Sequence, residues 1–412
     1  MTGNKHNHHY LLIAFAVLAL LIGSFSEWSV TAQKPEKADL FIEIDRTKTD
    51  LTPEQQQALS RIRSQETTVE TRLVRVRTQL LTPSPLKLRV NLGKEFEVEK
   101  TETKPRDEGL TWIGKPLSAT DSAVLVVNGN DVTGTVRSGS ELYAIRPLGG
   151  GLHAVIRQDE KKFPPEHPPE FKPVENEAPK PLPGAIAADL PQAPQTLRVL
   201  VAYTPKVAAA VHDVDAMIRL AVEETNLGYA NSNINLRAEL AYEYQVNYQE
   251  SGSHDTDLMN FRTPNDSLMD EVHQLRDTHK ADVCVLLIDN PSYCGLASAI
   301  LADENSAFAV VHYTCATGYY SFAHEIGHLQ GARHNPEADP TMLPFSYGHG
   351  YSNPTANWRT IMSYDCPNGC PRLPYWANPQ VKYHNLAMGD GDCCNDSRVL
   401  NETASTITAF RN

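Results

Sequence analysis

No cysteine precedes Cys284 in this chain of 412 residues. The part of the chain before it therefore has no thiolate with which to bind or block a metal ion. All seven cysteines follow: Cys284, Cys294, Cys315, Cys366, Cys370, Cys393 and Cys394. Their clustering predicts disulfides formed in an oxidising compartment, and the odd number leaves one free thiol.

We assign the free thiol to Cys284, because the apolar run Val283–Ile288 around it predicts a buried position. The other six cysteines predict two or three bridges, whose pairing does not follow from the sequence. A thiolate metal site is the less favoured alternative, since no second pair of closely spaced cysteines faces Cys366 and Cys370.

A long apolar run is also missing. The run Leu11–Ile22 has 12 residues, fewer than the roughly 20 that a membrane-spanning helix needs. Its length fits the core of a signal peptide, and Val30–Ala32 offers a small-residue cleavage site before Gln33. We therefore predict a signal peptide over residues 1–32, secretion to the exterior or the periplasm, and no stable membrane association after cleavage. An uncleaved anchor is the alternative.

Positive charge is scarce in the second half of the chain. Residues 1–190 carry 24 Lys and Arg against 25 Asp and Glu, whereas residues 191–412 carry 13 against 25. The second half therefore contributes −12 of the formal net charge of −13. Such an acidic surface argues against nucleic acid as a partner.

Prolines divide the chain into two regions. Ten of the 28 prolines fall within residues 164–195, where they exclude a helix or a central strand and predict an exposed, extended linker open to maturation cleavage. Residues 33–163 contain short β-branched runs separated by glycine turns, which predict a β-rich domain. Its expected strands are Ala123–Val127, Val132–Val136, Leu142–Ile145 and His153–Ile156, with a helix over Pro53–Leu80.

Residues 196–412 show the pattern of a layered α/β domain, because predicted strands alternate with predicted helices. The expected strands are Thr196–Tyr203, Ile234–Tyr248, Ala281–Asp289 and Ser306–Tyr313. The expected helices are Val207–Val222 and Ser267–His279, followed by a helix that carries the histidine motif.

This histidine motif is the strongest functional signal in the sequence. His324 and His328 are four residues apart, so on a helix they share one face and can bind one metal ion. Glu325, one position away, can reach a water molecule at the metal without binding the metal itself. Gly331 can adopt a positive φ, which ends the helix and lets His334 approach as a third ligand. Three imidazoles with an open fourth position are typical of a catalytic zinc site.

The elongated motif His324–His334, followed by Thr360–Tyr364, resembles that of the metzincin clan of zinc peptidases. Within the clan, residues 196–412 are similar to the peptidyl-Asp metallopeptidase family. The strings that carry this resemblance are Gly318–His334, Trp358–Tyr364 and Cys370–Pro379.

The resemblance implies a twisted, mostly parallel sheet above a cleft, a small lower subdomain, and cleavage on the amino side of aspartate. The substrate would pair with the strand expected at Ser306–Tyr313. Val132–Leu148 is more loosely similar to the propeptides of reprolysin-type enzymes, which makes residues 33–163 an expected prodomain and the chain a zymogen. Because no cysteine is available there, either another group blocks the metal or the block is steric.

The resemblance also assigns roles to three further residues. Met362 would form an apolar floor beneath the metal rather than a ligand. Tyr364 would bind the metal at rest or donate a hydrogen bond to the oxyanion, with a purely structural role as the alternative. An aspartate pocket needs a buried cation, for which Arg372 is our choice, with Arg359 and Lys382 as rivals.

These observations predict a secreted, monomeric zinc endopeptidase acting on proteins or peptides. Asp390, Asp392 and Asp396 raise the option of a Ca²⁺ site, with a solvated acidic loop as the favoured alternative. The rival class of function is an inactive, zinc-stabilised binding or adhesion module, against which the retained Glu325 argues. A hydrolase with a narrow, non-proteolytic substrate is a third option.

Overall fold

The computed structural model describes residues 38–45, 49–81, 87–91, 95–106, 108–116, 122–167, 174–175 and 193–411. The predicted signal peptide and most of the predicted linker lie outside these residues. Within them, no helix is both long enough and apolar enough to cross a membrane.

Strands dominate the region before the linker, which contains one long helix in its described part, α1 Pro53–Ser64, and short 3₁₀ turns at Thr78–Leu81 and Glu160–Lys162. The strands are β1 Ala38–Asp39, β2 Phe41–Glu43, β3 Thr68–Val76, β4 Lys87–Asn91, β5 Glu95–Arg106, β6 Gly109–Pro116, β7 Ser122–Asn128, β8 Asp131–Ser138, β9 Glu141–Gly149 and β10 Leu152–Gln158. Among the described residues they form one sheet in the order β1-β4-β5-β6-β7-β8-β9-β10-β3-β2. The four strands predicted between residues 123 and 156 are confirmed.

The helix predicted over Pro53–Leu80 is wrong in its second half. Helix α1 begins at a capping box in which the Thr52 hydroxyl accepts from the Gln55 amide, and it ends at Ser64. Thr68–Val76 is instead strand β3, paired with β10 on one side and β2 on the other. The β-branched residues of this stretch alternate with polar ones, a strand pattern that the sequence interpretation overlooked.

The region from residue 193 onwards is mixed α/β. Its strands are β12 Gln195–Tyr203, β13 Leu236–Gln245, β14 Val283–Ile288, β15 Gly295–Ala297, β16 Ala299–Ile300, β17 Phe308–His312, β18 Ser352–Asn353, β19 Trp358–Arg359, β20 Asn378–Tyr383 and β21 Leu386–Met388, while β11 Val174–Glu175 precedes it. Its helices are α2 Pro205–Ala210, α3 Val214–Asn231, α4 His254–Arg262, α5 Glu271–Thr278, α6 Ser321–Leu329 and α7 Asp396–Ile407.

The main sheet of this region has the order β13-β12-β14-β17-β15 among the described residues. The first four strands run parallel, and β15 pairs antiparallel with β17 at one edge. Alternate residues of β14 pack on opposite faces: Val285 joins a core with α3 and α6, whereas Leu286 joins a core with α4 and α5. Helices therefore cover both faces, and all four predicted strands are confirmed.

Two predicted helices need correction. The helix expected over Val207–Val222 is two helices, because the Asp213 carboxylate accepts from the Ala216 amide at 2.9 Å and starts α3 afresh. The helix expected from Ser267 begins only at Glu271. Ser267 and Met269 have φ values of 70° and 55°, which a right-handed helix does not accommodate.

The two regions pack directly against each other. Ala216 and Leu220 of α3 share an apolar cluster with Ile113, Val124 and Val126 of the ten-stranded sheet. At the rim of this contact, Lys104 pairs with Glu223 at 2.6 Å and Arg106 pairs with Asp215 at 3.4 Å. The β-rich region therefore packs directly on the α/β region.

The cysteines form three disulfides, Cys294–Cys315, Cys366–Cys370 and Cys393–Cys394. Cys284 is free and buried in β14. The predicted number of bridges and the predicted free thiol are both confirmed.

Candidate active site

The histidine motif lies where helix α6 ends. His324, Glu325 and His328 are buried on this helix, which finishes at Leu329. Gly331 follows with φ of 102°, as the sequence predicted, and the chain then turns back towards the helix. This turn brings the His334 ring beside the other two.

The three histidines fit a zinc ion. Nε2 of His334 lies 3.2 Å from Nε2 of His324 and 3.0 Å from Nε2 of His328. Nδ1 of His324 lies 2.9 Å from the Ile361 carbonyl oxygen, and Nδ1 of His328 lies 2.8 Å from that of Ala332. Each of these Nδ1 atoms therefore carries the proton and each Nε2 presents a lone pair. Converging lone pairs repel unless a cation lies between them, and zinc with Zn–N bonds of about 2.0–2.1 Å sets tetrahedral ligands roughly 3.3 Å apart.

Burial sets the protonation of this cluster. It holds the pKa of His324, His328 and His334 well below the usual range, so all three imidazoles are neutral and able to bind a metal. Burial also raises the pKa of Glu325, against the opposing effect of the nearby His167. A carboxylate with a raised pKa is suited to accept a proton and return it.

The segment after the motif supports the cluster from below. Met362 is fully buried in the main core, and a Cβ at Gly327 of α6 would lie 2.8 Å from its Sδ. The Tyr364 ring centroid lies 4.2 Å from that of His334. Burial raises the pKa of Tyr364, and the neighbouring carboxylates of Glu166 and Glu325 raise it further. The phenol therefore keeps its proton and can donate a hydrogen bond.

The three candidate cations have different surroundings. Arg372 is 0% exposed, forms an ion pair with Glu166, and donates to the Tyr319 carbonyl at 3.0 Å. Arg359 is equally buried but directs its guanidinium to the carbonyl oxygens of Cys370 and Ser363, at 3.1 and 2.7 Å. Lys382 is exposed on β20. Of the three, Arg372 is the one that meets a carboxylate inside the cleft.

The prediction that the substrate pairs with the strand at Ser306–Tyr313 is wrong. The stretch Ser306–Tyr313 contains β17, which is paired on both sides and has no free edge. The edge strand is β15, which starts at Gly295 beside Glu325 of the motif helix. A Cβ at Gly295 would lie 2.3 Å from Oε1 of Glu325, so only glycine allows this approach.

Two functional candidates were missed in the sequence. Glu166 and His167 lie in the predicted linker, but they are only 4% and 8% exposed and occupy the cleft. The expectation of an exposed linker is therefore wrong for these residues. A ring nitrogen of His167 lies within 4.8 Å of the ligand atoms of all three motif histidines. The available signal was the composition Pro164-Pro-Glu-His-Pro-Pro169, an acid and an imidazole held between rigid proline pairs.

The structure gives no support to a calcium site. The groups of metal-ligating side chains found in the described part of the chain both lie in the cleft, and neither includes Asp390, Asp392 or Asp396. Asp396 is buried at the start of α7, and burial raises its pKa well above the usual value, which disfavours the charged form that Ca²⁺ requires.

Comparison with known proteins agrees with this site. Residues 193–377 match Reprolysin_5, described as metallo-peptidase family M12. The chain is 40% identical over 375 residues to a peptidyl-Asp metalloendopeptidase of Xanthomonas campestris pv. campestris, covering 86% of this chain and 89% of that protein. It is 44% identical over 346 residues to one of Stenotrophomonas maltophilia, covering 78% and 82%.

The chain belongs to the peptidyl-Asp metalloendopeptidase family. It is a metalloendopeptidase, and the alternative of an inactive binding module is not favoured. Among solved structures, metalloproteinase-II from Bacteroides fragilis covers 63% of this chain and 84% of its own, with 15% identity and a TM-score of 0.40.

Proposed function

We propose that this chain is a metzincin-type zinc peptidase that hydrolyses peptide bonds on the amino side of aspartate. His324, His328 and His334 would hold the metal. The observation that carries this proposal is the convergence of three neutral ring nitrogens, in which Nε2 of His324 and Nε2 of His328 lie 3.2 and 3.0 Å from Nε2 of His334, next to the buried carboxylate of Glu325.

Zinc, when bound, would supply a Lewis acid that polarises the scissile carbonyl and lowers the pKa of water. Glu325 would accept the proton of the attacking water and pass it to the leaving amine. Tyr364, protonated beside His334, would donate a hydrogen bond to the oxyanion. Met362 would serve as the apolar support of the ligand helix.

Arg372 would select aspartate. Its guanidinium is fully buried and already pairs with a carboxylate, that of Glu166, in the cleft. An arginine can bind a carboxylate through two parallel hydrogen bonds, and burial strengthens this interaction. The acidic surface would repel such substrates at a distance, but salt screens that repulsion beyond about 8–10 Å.

The remaining parts of the chain would serve production and export. Residues 1–32 would act as a signal peptide, residues 33–163 as a prodomain, and residues 196–412 as the monomeric catalytic domain. The three disulfides support secretion, because such bonds persist in oxidising compartments.

A digest of a denatured protein mixture tests the function. The processed chain is incubated with and without a chelator, with Glu325→Ala as the blank, and mass spectrometry reads every new N-terminus. We expect new termini that begin with Asp and are lost in both controls. Metal-dependent cleavage without this preference would contradict the specificity, and no cleavage by a zinc-loaded processed chain would contradict the activity.

A further inference from the structure

The segment after β10 enters the active-site cleft. From Phe163 the chain passes through two prolines to Glu166 and His167, which contact Ser321 and Glu325 of helix α6. The His167 ring centroid lies 5.4, 5.0 and 4.9 Å from those of the three motif histidines His324, His328 and His334. His167 is thus nearly equidistant from the three, above the point where their nitrogens converge.

His167 also contacts the general base. Its Nε2 lies 3.1 and 3.2 Å from the two carboxylate oxygens of Glu325. A water molecule that donates its proton to Glu325 would need the space that the imidazole fills. The imidazole therefore covers both the open metal position and the proton acceptor.

The backbone of the segment pairs with the sheet edge. The carbonyl oxygen of Pro165 accepts from the Cys294 amide at 2.8 Å, and that of Glu166 accepts from the Gly295 amide at 3.1 Å. Further along, β11 pairs in parallel with β16, through Val174–Glu175. The segment thus uses the edge donors that an extended peptide substrate would use.

Glu166 fills the pocket proposed for aspartate. Its carboxylate forms an ion pair with Arg372 and accepts a hydrogen bond from the Ser321 hydroxyl at 3.1 Å. Both side chains are almost fully buried, so the ion pair is shielded from water. Glutamate differs from aspartate by one methylene, which makes Glu166 a close chemical analogue of the proposed substrate residue.

The β-rich region holds this segment in place. The Phe163 ring stacks on that of Tyr319, with centroids 4.2 Å apart and planes 5° from parallel. Glu160 accepts from the Arg372 amide at 3.0 Å and pairs with the buried Arg137 of β8 at 2.6 Å. These contacts of the residues just before Glu166 therefore help to fix its position in the cleft.

We propose that Glu166 and His167 form a tethered ligand of the active site, in which a ring nitrogen of His167 is the fourth ligand of the catalytic metal and Glu166 takes the place of the substrate aspartate on Arg372. The intact chain is then latent, because four imidazoles close a metal site that needs an open position. This inference rests on the proposed zinc chemistry and aspartate pocket.

The number of imidazole ligands tests the metal half directly. X-ray absorption is measured on the zinc-loaded intact chain, with its mass checked before and after. We expect four imidazoles in the wild type and three in His167→Ala. If the alanine variant does not fold, His167→Gln replaces it, since glutamine keeps the bulk and polarity. Three imidazoles in the wild type would overturn the proposal without reference to any variant.

Latency is measured as cleavage of a peptide containing aspartate by the intact chain. A tethered group competes at an effective concentration in the millimolar range, so we expect His167→Ala and Glu166→Gln each to raise the rate by about 10-fold or more. The matched control is the Lys162→Ala variant, which should cleave at the wild-type rate. Lys162 is exposed and lies four residues before Glu166. Equal rates in all the intact chains, together with a processed chain that does cleave the peptide, would overturn the tethered ligand.

The two proposals fail in different ways. One outcome is that the intact chain shows four imidazoles, but neither its variants nor its processed form cleaves the peptide. This result would contradict the proposed function and still support His167 as a metal ligand. The opposite outcome is that the processed chain cleaves before aspartate, while the intact wild type shows three imidazoles and all the intact chains cleave at equal rates. This result would support the proposed function and contradict the tethered ligand.

Discussion

Gly295 lies against the carboxylate of Glu325, so close that a Cβ at residue 295 would meet Oε1 at 2.3 Å and Cδ at 2.7 Å. Glu325 is fully buried, so its carboxylate is surrounded by other protein atoms. Strand β15 can therefore approach Glu325 this closely only because residue 295 has no side chain.

Gly295→Ala should displace Glu325 and lower kcat by about 10- to 100-fold, since a misplacement of about 1 Å in a catalytic group has effects of this size. Steady-state kinetics of the processed chain would check this, with zinc content unchanged. Gly391→Ala is the matched control, because its Cβ meets nothing within 4 Å. A fully active Gly295→Ala variant would show that Glu325 can move without loss.

Glu325→Gln should lower kcat by about 10²- to 10⁴-fold, the usual contribution of a general acid–base group, while zinc remains bound. Zinc should be retained because three imidazoles remain to hold it, while the Glu325 carboxylate contacts the His167 ring. Metal analysis alongside kinetics would test both parts. Loss of zinc in this variant would mean that the carboxylate is a ligand.

Chelation should lower the midpoint of thermal unfolding, and added zinc should restore it. A ligand present at about 100 times its Kd stabilises the folded state by about 2.7 kcal/mol. In His328→Ala the midpoint should no longer respond to either treatment. His384→Asn is the control, since this exposed residue has φ of 49°, which asparagine tolerates, and it should respond like the wild type.

Arg372→Lys should reduce the preference of the processed chain for aspartate over asparagine by about 10- to 100-fold in kcat/KM, because lysine cannot form the two-point contact. The measurement uses paired peptides that differ at this residue alone. Arg359→Lys is the comparison: its guanidinium holds backbone carbonyls, so the change should cost stability and leave the preference intact. An unchanged preference in Arg372→Lys would require another cation.

Glu224 should make the stability of the intact chain depend on pH. Its carboxylate accepts from the Thr135 hydroxyl and from the Gly318 amide at 2.8 Å, where α3 meets the β-rich region. Burial raises its pKa to about 7 from an ordinary value of 4.5, although both hydrogen bonds and the nearby Arg146 and Arg137 oppose the shift.

The folded state therefore retains a proton that the unfolded chain loses. The stabilising effect is complete below about pH 4.5 and is lost as the pH rises through about 7, a change of up to about 3 kcal/mol. Denaturant unfolding of the wild type and Glu224→Gln at pH 5 and 8 would measure it. The variant should gain relative to the wild type at the higher pH, and parallel pH profiles would contradict the assignment.

Local sequence patterns predicted the parts of the site that depend on local geometry. His324 and His328 meet because four residues make about one helical turn, and Gly331 was expected at a positive φ for the same local reason. The buried strand around Cys284 was predicted from its unbroken apolar run. The prediction failed where a pattern had competing interpretations, as in Thr68–Val76, whose alternation was assigned to a helix.

The amino-acid sequence by itself determined that His324, His328 and His334 lie together beside Glu325, that strands and helices alternate, and that Cys284 is the free thiol. Each of these follows from contacts between residues near in the chain or from hydrophobic periodicity. Only the tertiary structure decided that His167 faces Glu325 across 158 residues and that Glu166 meets Arg372. It also decided that β15, rather than β17, forms the sheet edge. These relationships depend on how distant segments pack, and no period in the sequence records which side chains such packing brings together.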